Sequence, residues 1–208
     1  MRINLIPMAG EGQRFKDAGY TTPKPLRNVC GVPMVVRAAQ ALPPADKWVF
    51  ICRSSHFAFI EPTLRMYFDS AEIVTVDSLT EGQAMTCLLA RDLSPAAAEL
   101  TIGPSDNDML YDPAQVRRMF ADTSLDGWVW TFRNNPTVLR NPKAYGWVRT
   151  TAEGEALGVV CKQAISDTPI LDHAVIGAFT FKRAEFFFDA VEKMVDSNAR
   201  INGEFCVD

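Results

Sequence analysis

Residues 5–26, LIPMAGEGQRFKDAGYTTPKPL, decide how the rest of the chain is read. An apolar strand breaks at Ala9-Gly10-Glu11-Gly12-Gln13-Arg14. The chain does not turn at once into a helix but runs on, polar, to Pro23-Lys24-Pro25. Glycines directly after a strand let the backbone come close to a phosphate, and the exposed N–H groups of such a turn form an anion-binding nest. A dinucleotide site would place a third glycine at position 15, and its second strand would end in an acidic residue that holds a ribose. Position 15 is Phe, and the second strand ends Ile51-Cys52-Arg53. A P-loop needs Gly-Lys-Ser or Gly-Lys-Thr, and neither occurs. The glycine turn taken alone therefore leaves both a phosphate cradle and a plain structural turn open.

Outward from this stretch, strand-like and helix-like segments alternate. Residues 3–8, 48–52, 72–76 and 99–102 read as strands. Residues 33–42, 57–68, 82–93 and 113–121 read as helices, with Pro33 in a first turn and Pro62 as an irregularity. The alternation predicts a mixed, mostly parallel sheet flanked by helices, a Rossmann-like α/β fold. After about residue 126 the texture changes. Residues 128–132, 145–150, 156–161 and 175–181 read as strands, with Ala152–Glu155 as a hairpin turn, and a last helix covers 183–195. One domain over 1–208 is expected, with a nucleotide-binding half at 1–125 and an acceptor-binding half at 126–208.

The 208 residues are 48% hydrophobic, enough for one core. The formal charge is −4, and Lys and Arg form no dense run, which argues against nucleic acid. No apolar stretch reaches the ~20 residues of a membrane span, and MRINLIPMAG is too short an apolar run for a signal peptide. The five cysteines, Cys30, Cys52, Cys87, Cys161 and Cys206, have no metal-ligand spacing and read as reduced thiols of a cytoplasmic protein. Neither histidine, His56 or His173, has a recognisable Ser or Cys partner, so no covalent nucleophile is expected. The oligomeric state is open, a homo-oligomer included.

The whole pattern is more specific than the glycine turn. AGEGQRF, a polar loop, PKPL and then Gly31-Val32-Pro33-Met34 resemble the signature of nucleotidyltransferases that activate sugar phosphates, the pyrophosphorylases with a glycosyltransferase-A-like fold. The resemblance continues through Thr80-Glu81-Gly82-Gln83-Ala84, Pro104-Ser105-Asp106, Tyr145-Gly146-Trp147-Val148, Cys161-Lys162, Ala174–Phe181 and Asn202-Gly203-Glu204-Phe205, in order along nearly the full chain. The Pro-Met-Ala-Gly start is similar to that of a bacterial subgroup associated with capsule and surface polysaccharide.

The resemblance implies transfer of a nucleotidyl group from an NTP (CTP, UTP or dTTP) to a phosphorylated small molecule, with pyrophosphate released. By resemblance the backbone of Met8, Ala9, Gly10, Glu11, Gly12 and Gln13 cradles phosphates. Arg14 then faces the leaving pyrophosphate, and Lys24 the α-phosphate or the attacking phosphate. An arginine suits the fork geometry of phosphate oxygens, and a lysine acts as a point charge. Gly82, Gln83 and Ser105 complete the nucleotide site, Gln83 meeting the base. Tyr145, Gly146, Lys162, Gly177 and Glu204 serve the acceptor. Asp106, at the end of a central strand, holds Mg²⁺, and Asp208 takes the place of a second metal carboxylate. Asp108 is not assigned as a ligand, and Asp112, before Pro113, reads as a helix N-cap. Relatives carry a Glu before the lysine equivalent to Lys162. Cys161 stands there, so the lysine's partner is either absent or supplied from elsewhere. Relatives also continue for some tens of residues, so truncation at Asp208 is one reading of the stop. Other readings are a cytidylyltransferase acting on a non-sugar phosphate, a nucleotide-binding regulator without catalysis, and a glycosyltransferase using Asp106-Asn107-Asp108 as its metal motif.

Overall fold

The computed structural model describes residues 1–207; Asp208, the expected second metal ligand, lies outside the described residues. Four strands, β1 (Arg2–Met8), β4 (Lys47–Arg53), β5 (Ala71–Val76) and β6 (Glu99–Ile102), form a parallel array in the order β5-β4-β1-β6. Alternation along β1 decides its two faces. Ile3 and Leu5 pack with α4 (Gln83–Leu88) and α6 (Ala184–Asp196), whereas Ile6 and Met8 pack with α2 (Met34–Gln40) and α3 (Ser54–Tyr67). In β4 the same split sends Val49 and Ile51 one way and Phe50 and Cys52 the other. The result is a sheet with helices on both faces, as the alternation of elements predicted. Burial raises the Cys52 thiol to about 11 and pushes Cys87 up as well, so both stay protonated inside the core.

The chain after about residue 126 adds antiparallel strands, making the eight-stranded sheet mixed. Strand β10 (His173–Phe181) pairs with β7 (Gly127–Phe132) along one side. On its other side it pairs first with β8 (Gly146–Thr150) and then with β6. Strand β9 (Ala156–Cys161) continues from β8 as a hairpin and forms the outer edge. One strand thus belongs to both halves. It changes partner across a bulge between Val175 and Phe179, where Gly177 has φ +94, a conformation that L side chains resist.

Four local expectations need correction. The loop after β1 does form a helix at once, α1 (Gln13–Asp17), entered through a left-handed Gly12 (φ 62). Pro33 lies before its helix rather than in it, because residues 28–33 make a small hairpin, β2 (Asn28–Val29) with β3 (Val32–Pro33). The helix expected over 82–93 ends at Leu88, and a 3-10 turn covers Arg91–Leu93. Helix α3 runs unbroken through Pro62, held to the sheet by the fully buried Ile60 and Leu64. The Asp112 cap is as read: its Oδ1 accepts from the Ala114 N–H at 2.8 Å and opens α5 (Pro113–Ala121).

Candidate active site

Adjacent parallel strands β1 and β6 run toward the same end of the sheet, and the loops that follow them, 9–12 and 103–108, lie at that end. Open α/β sheets bind ligands there, beyond the carboxyl ends of the strands. After β1, a groove of about 320 Å³ is lined by Met8, Gly10, Gly12, Gln13, Arg14, Lys24 and Ser105. Arg14 is exposed and makes no ion pair among the described residues. Ala9 is buried beneath the turn. Glu11 faces away from the groove, toward Lys16 at 3.6 Å and Arg53 at 3.8 Å. Its side chain thus closes the back of the turn.

Lys24 enters a 3-10 turn (Lys24–Leu26) after Pro23, and its ammonium is hydrogen-bonded to the Asp106 carboxylate, 82 residues away in sequence. Both side chains are only partly exposed. The turn after β1 and the turn after β6 are thereby tied by one opposite-charge pair. Asp108 is directed elsewhere, to Arg37 Nε at 4.0 Å. Asn107 donates to the Ile176 carbonyl at 3.2 Å, joining the β6 loop to the bulge of β10.

Beside this pair opens a larger cleft of about 700 Å³. It brings together Gln83, Tyr145, Gly146, Lys162, Gly177 and Glu204, all singled out from sequence. Gln83, read as a contact for the base, shares this space with the acceptor candidates rather than with the groove around Arg14. Lys162 follows β9 with φ +56, and its N–H donates to the Tyr145 carbonyl at 3.0 Å. Its ammonium lies 3.8 Å from Glu204 Oε2, so an acidic partner comes from elsewhere in the chain. Sequence reading missed Arg133, Asn107, Thr131 and Asn135, which also line the cleft. Thr131 lies in β7 and Arg133 just past it, at its end toward the cleft; polar residues at a strand end were the available signal.

Gly82 is covered by the chain itself. A Cβ on it would lie 2.7 Å from the Phe205 nitrogen and closer still to the Phe205 carbonyl oxygen, and its φ is +123. Phe205 N–H donates to the Glu81 carbonyl at 2.7 Å, and the Ala84 N–H donates to the Phe205 carbonyl at 3.1 Å. The segment 201–207 is thus strapped across the entrance of α4, a register that only a glycine at position 82 permits.

Two histidines flank the site, and both are held below the ordinary imidazole value. For His173 the cause is burial first, then Arg133, opposed by Asp172; its Nδ1 is 2.9 Å from the Thr131 hydroxyl. For His56 it is burial, then Lys16 and Arg53. Burial raises the Tyr111 phenol.

No protein-family model matches the chain, and no curated protein matches it. Among solved structures, the nucleoside-diphosphate-sugar pyrophosphorylase from Vibrio cholerae RC9 superposes with a TM-score of 0.73 at 20% identity, covering 98% of this chain and 84% of its own. The inositol-1-phosphate CTP transferase from T. maritima gives 0.76 at 14% identity, covering 100% of this chain and 78% of its own. A protein assigned as a glucose-1-phosphate thymidylyltransferase from Bacillus anthracis, solved with a sucrose, gives 0.76 at 17% identity, covering 93% and 76%. At these identities the likeness is one of fold, and it extends over both halves of the chain.

Proposed function

We propose that the chain is a Mg²⁺-dependent nucleotidyltransferase that joins an NTP to a phosphorylated small molecule, a sugar 1-phosphate above all, and releases pyrophosphate. The observation that carries this reading is the Lys24–Asp106 pair, which stands where the groove after β1 meets the β6 loop beside the larger cleft. In the reaction an acceptor phosphate oxygen attacks the α-phosphorus. A new P–O bond forms, the bond to the bridging oxygen of the β-phosphate breaks, and pyrophosphate carries away the electron pair. Such chemistry needs charge neutralisation along the triphosphate and in-line positioning more than it needs a proton carrier.

In this reading the 8–13 turn and Ser105 take the triphosphate. Arg14 faces the leaving pyrophosphate, and Lys24 turns from Asp106 to the phosphate oxygens. Tyr145, Gly146, Lys162 and Gly177 meet the acceptor. Asp106 fits Mg²⁺, which takes oxygen ligands and is commonly held by one or two carboxylates with phosphates and water. No group of three or more His, Cys, Asp or Glu converges among the described residues. Asp208 is the proposed second carboxylate. Held by Asp106, the ion would supply positive charge against the triphosphate. The separate engagement of Asp106 by Lys24 and Asp108 by Arg37 disfavours the glycosyltransferase reading, in which the two carboxylates would serve one metal.

The resemblance of the Pro-Met-Ala-Gly start extends the proposal to a cytoplasmic enzyme that supplies an activated precursor for surface polysaccharide. A pyrophosphate-release screen tests the core claim. It crosses ATP, CTP, GTP, UTP and dTTP with sugar 1-phosphates and small non-sugar phosphates in the presence of Mg²⁺. Release is expected for one pyrimidine nucleotide with a narrow set of acceptors. No release with any pair would sink the reading.

A further inference from the structure

We propose that Glu204 is a positioning residue, whose carboxylate holds the Lys162 ammonium at the cleft so that the lysine meets the acceptor's phosphate. This deepens the functional reading and rests on the cleft being the acceptor site. The backbone of Lys162 is pinned, since its φ of +56 is uncommon for a residue with a side chain and its N–H is bonded to Tyr145. That fixes where the side chain starts but not where it ends, because a lysine stem is flexible and its ammonium is a point charge without a fork to align it. A second anchor must come from outside the stem. Glu204 Oε2, at 3.8 Å, is the carboxylate in ion-pair range of Lys162 among the described residues.

Glu204 can act as an anchor because its own backbone is fixed. Residues 201 and 204 exchange both backbone hydrogen bonds, at 2.9 and 3.0 Å. The next residue, Phe205, is bonded to Glu81 and Ala84. Arg200 pairs with Glu81 and lies 4.0 Å over the Phe205 ring. The lysine of the acceptor-side half is thereby positioned from the α4 entrance of the nucleotide-side half. The pair does little for stability: its side chains are 40% and 60% exposed, and exposed pairs contribute little. A carboxylate beside an anion site would also repel the phosphate if it did nothing else. At 3.8 Å the contact is an ion pair beyond hydrogen-bond distance, so it occupies none of the ammonium's three donors, which Lys162 can offer to phosphate oxygens.

The test titrates the full chain with hexose 1-phosphates and glycerol 3-phosphate, with Mg²⁺ and an unreactive α,β-methylene NTP analogue present. NTP binding is titrated separately without acceptor. Glu204→Gln should weaken the phosphate ester roughly two- to fivefold, the range an exposed ion pair allows, and leave NTP binding within about twofold. Glu204→Asp should recover part of the loss. Lys162→Met should weaken the ester more, and adding Glu204→Gln to it should cost nothing further, because the glutamate acts through the lysine. The proposal fails if the two losses add, if Glu204→Gln tightens or does not change ester binding, or if NTP binding falls equally, as damage to the strap would produce. A wild type that binds no ester overturns it together with the acceptor assignment. A wild type that binds ester yet releases no pyrophosphate with any NTP sinks the transferase reading alone.

Discussion

Lys24 and Asp106 neutralise each other in the free protein, and each is assigned a different partner once a nucleotide arrives. That opposition makes their substitutions asymmetric. Asp106→Asn keeps the shape and removes the charge proposed to hold Mg²⁺. Turnover should fall at least ~10²-fold, the scale of losing one key electrostatic group. Metal-free NTP binding should hold or tighten, since Lys24 no longer has to leave a carboxylate. Steady-state kinetics over a Mg²⁺ series, paired with metal-free NTP titration, would check both halves; turnover and Mg²⁺ dependence like the wild type's would remove Asp106 from the metal site. Lys24→Arg preserves the charge but replaces a compact ammonium with a planar fork. It should leave turnover well below wild type, and full activity would show that any cation suffices there.

At the scale of elements, the strap and α3 make opposite predictions. Gly82→Ala drives a methyl into the Phe205 backbone at a φ that side chains resist, so the strap must lift or the corner must shift. The cost should be at least ~2 kcal/mol, the scale of a strained non-glycine backbone with a steric clash. Thermal melts would measure it, and proteolysis within 200–207 should become faster than in wild type. Pro62→Ala should stabilise. Pro62 is exposed, lies inside a continuous helix and cannot donate to the carbonyl one turn back, so alanine restores that bond without disturbing buried Ile60 and Leu64. A gain of about 1 kcal/mol or more in denaturant titration is expected, given the roughly 3 kcal/mol penalty for proline inside a helix; a loss would mean that the ring packs usefully. These two elements also mark what sequence could and could not carry. Ala156–Cys161 and Pro113–Ala121 match their predicted bounds, because apolar period, proline and the Asp112 cap are all local signals. Arg14, Lys24 and Asp106 were singled out through a resemblance, and the structure brings Lys24 and Asp106 together. The Lys162–Glu204 contact was not legible, since strand β10 and helix α6 lie between the two in sequence. Nor was the reason for Gly82, which depends on where Phe205 returns. The unbroken course of α3 through Pro62 is likewise a tertiary outcome, with packing of one face outweighing a local penalty.

For the molecule as a whole, the two halves of the sheet meet at β10, and one histidine lies in that strand while the other lies in α3. His173 begins β10 against β7 and β8, and His56 sits in the first turn of α3 against the segment that follows β1. Both are held below the usual imidazole value by burial, helped by Arg133 in one case and by Lys16 and Arg53 in the other. His56 Nδ1 is also buried without a hydrogen-bond partner, so a proton added there gains no acceptor. The linkage then has a definite sign. Above the unfolded value of about 6.5 both states carry neutral imidazoles, and these groups give stability no slope. As pH falls below it, the unfolded chain binds protons that the folded chain still refuses, so stability drops until the depressed folded values are reached. Denaturant midpoints should therefore be level from pH 8 to about 7 and decline between about 6.5 and 5.5, before most carboxylates titrate. His56→Gln and His173→Gln should each flatten part of that decline, and the double variant should remove it. A midpoint that rises as pH falls from 7 to 5.5 would reverse the sign and show that the histidines gain a partner on folding instead of losing water.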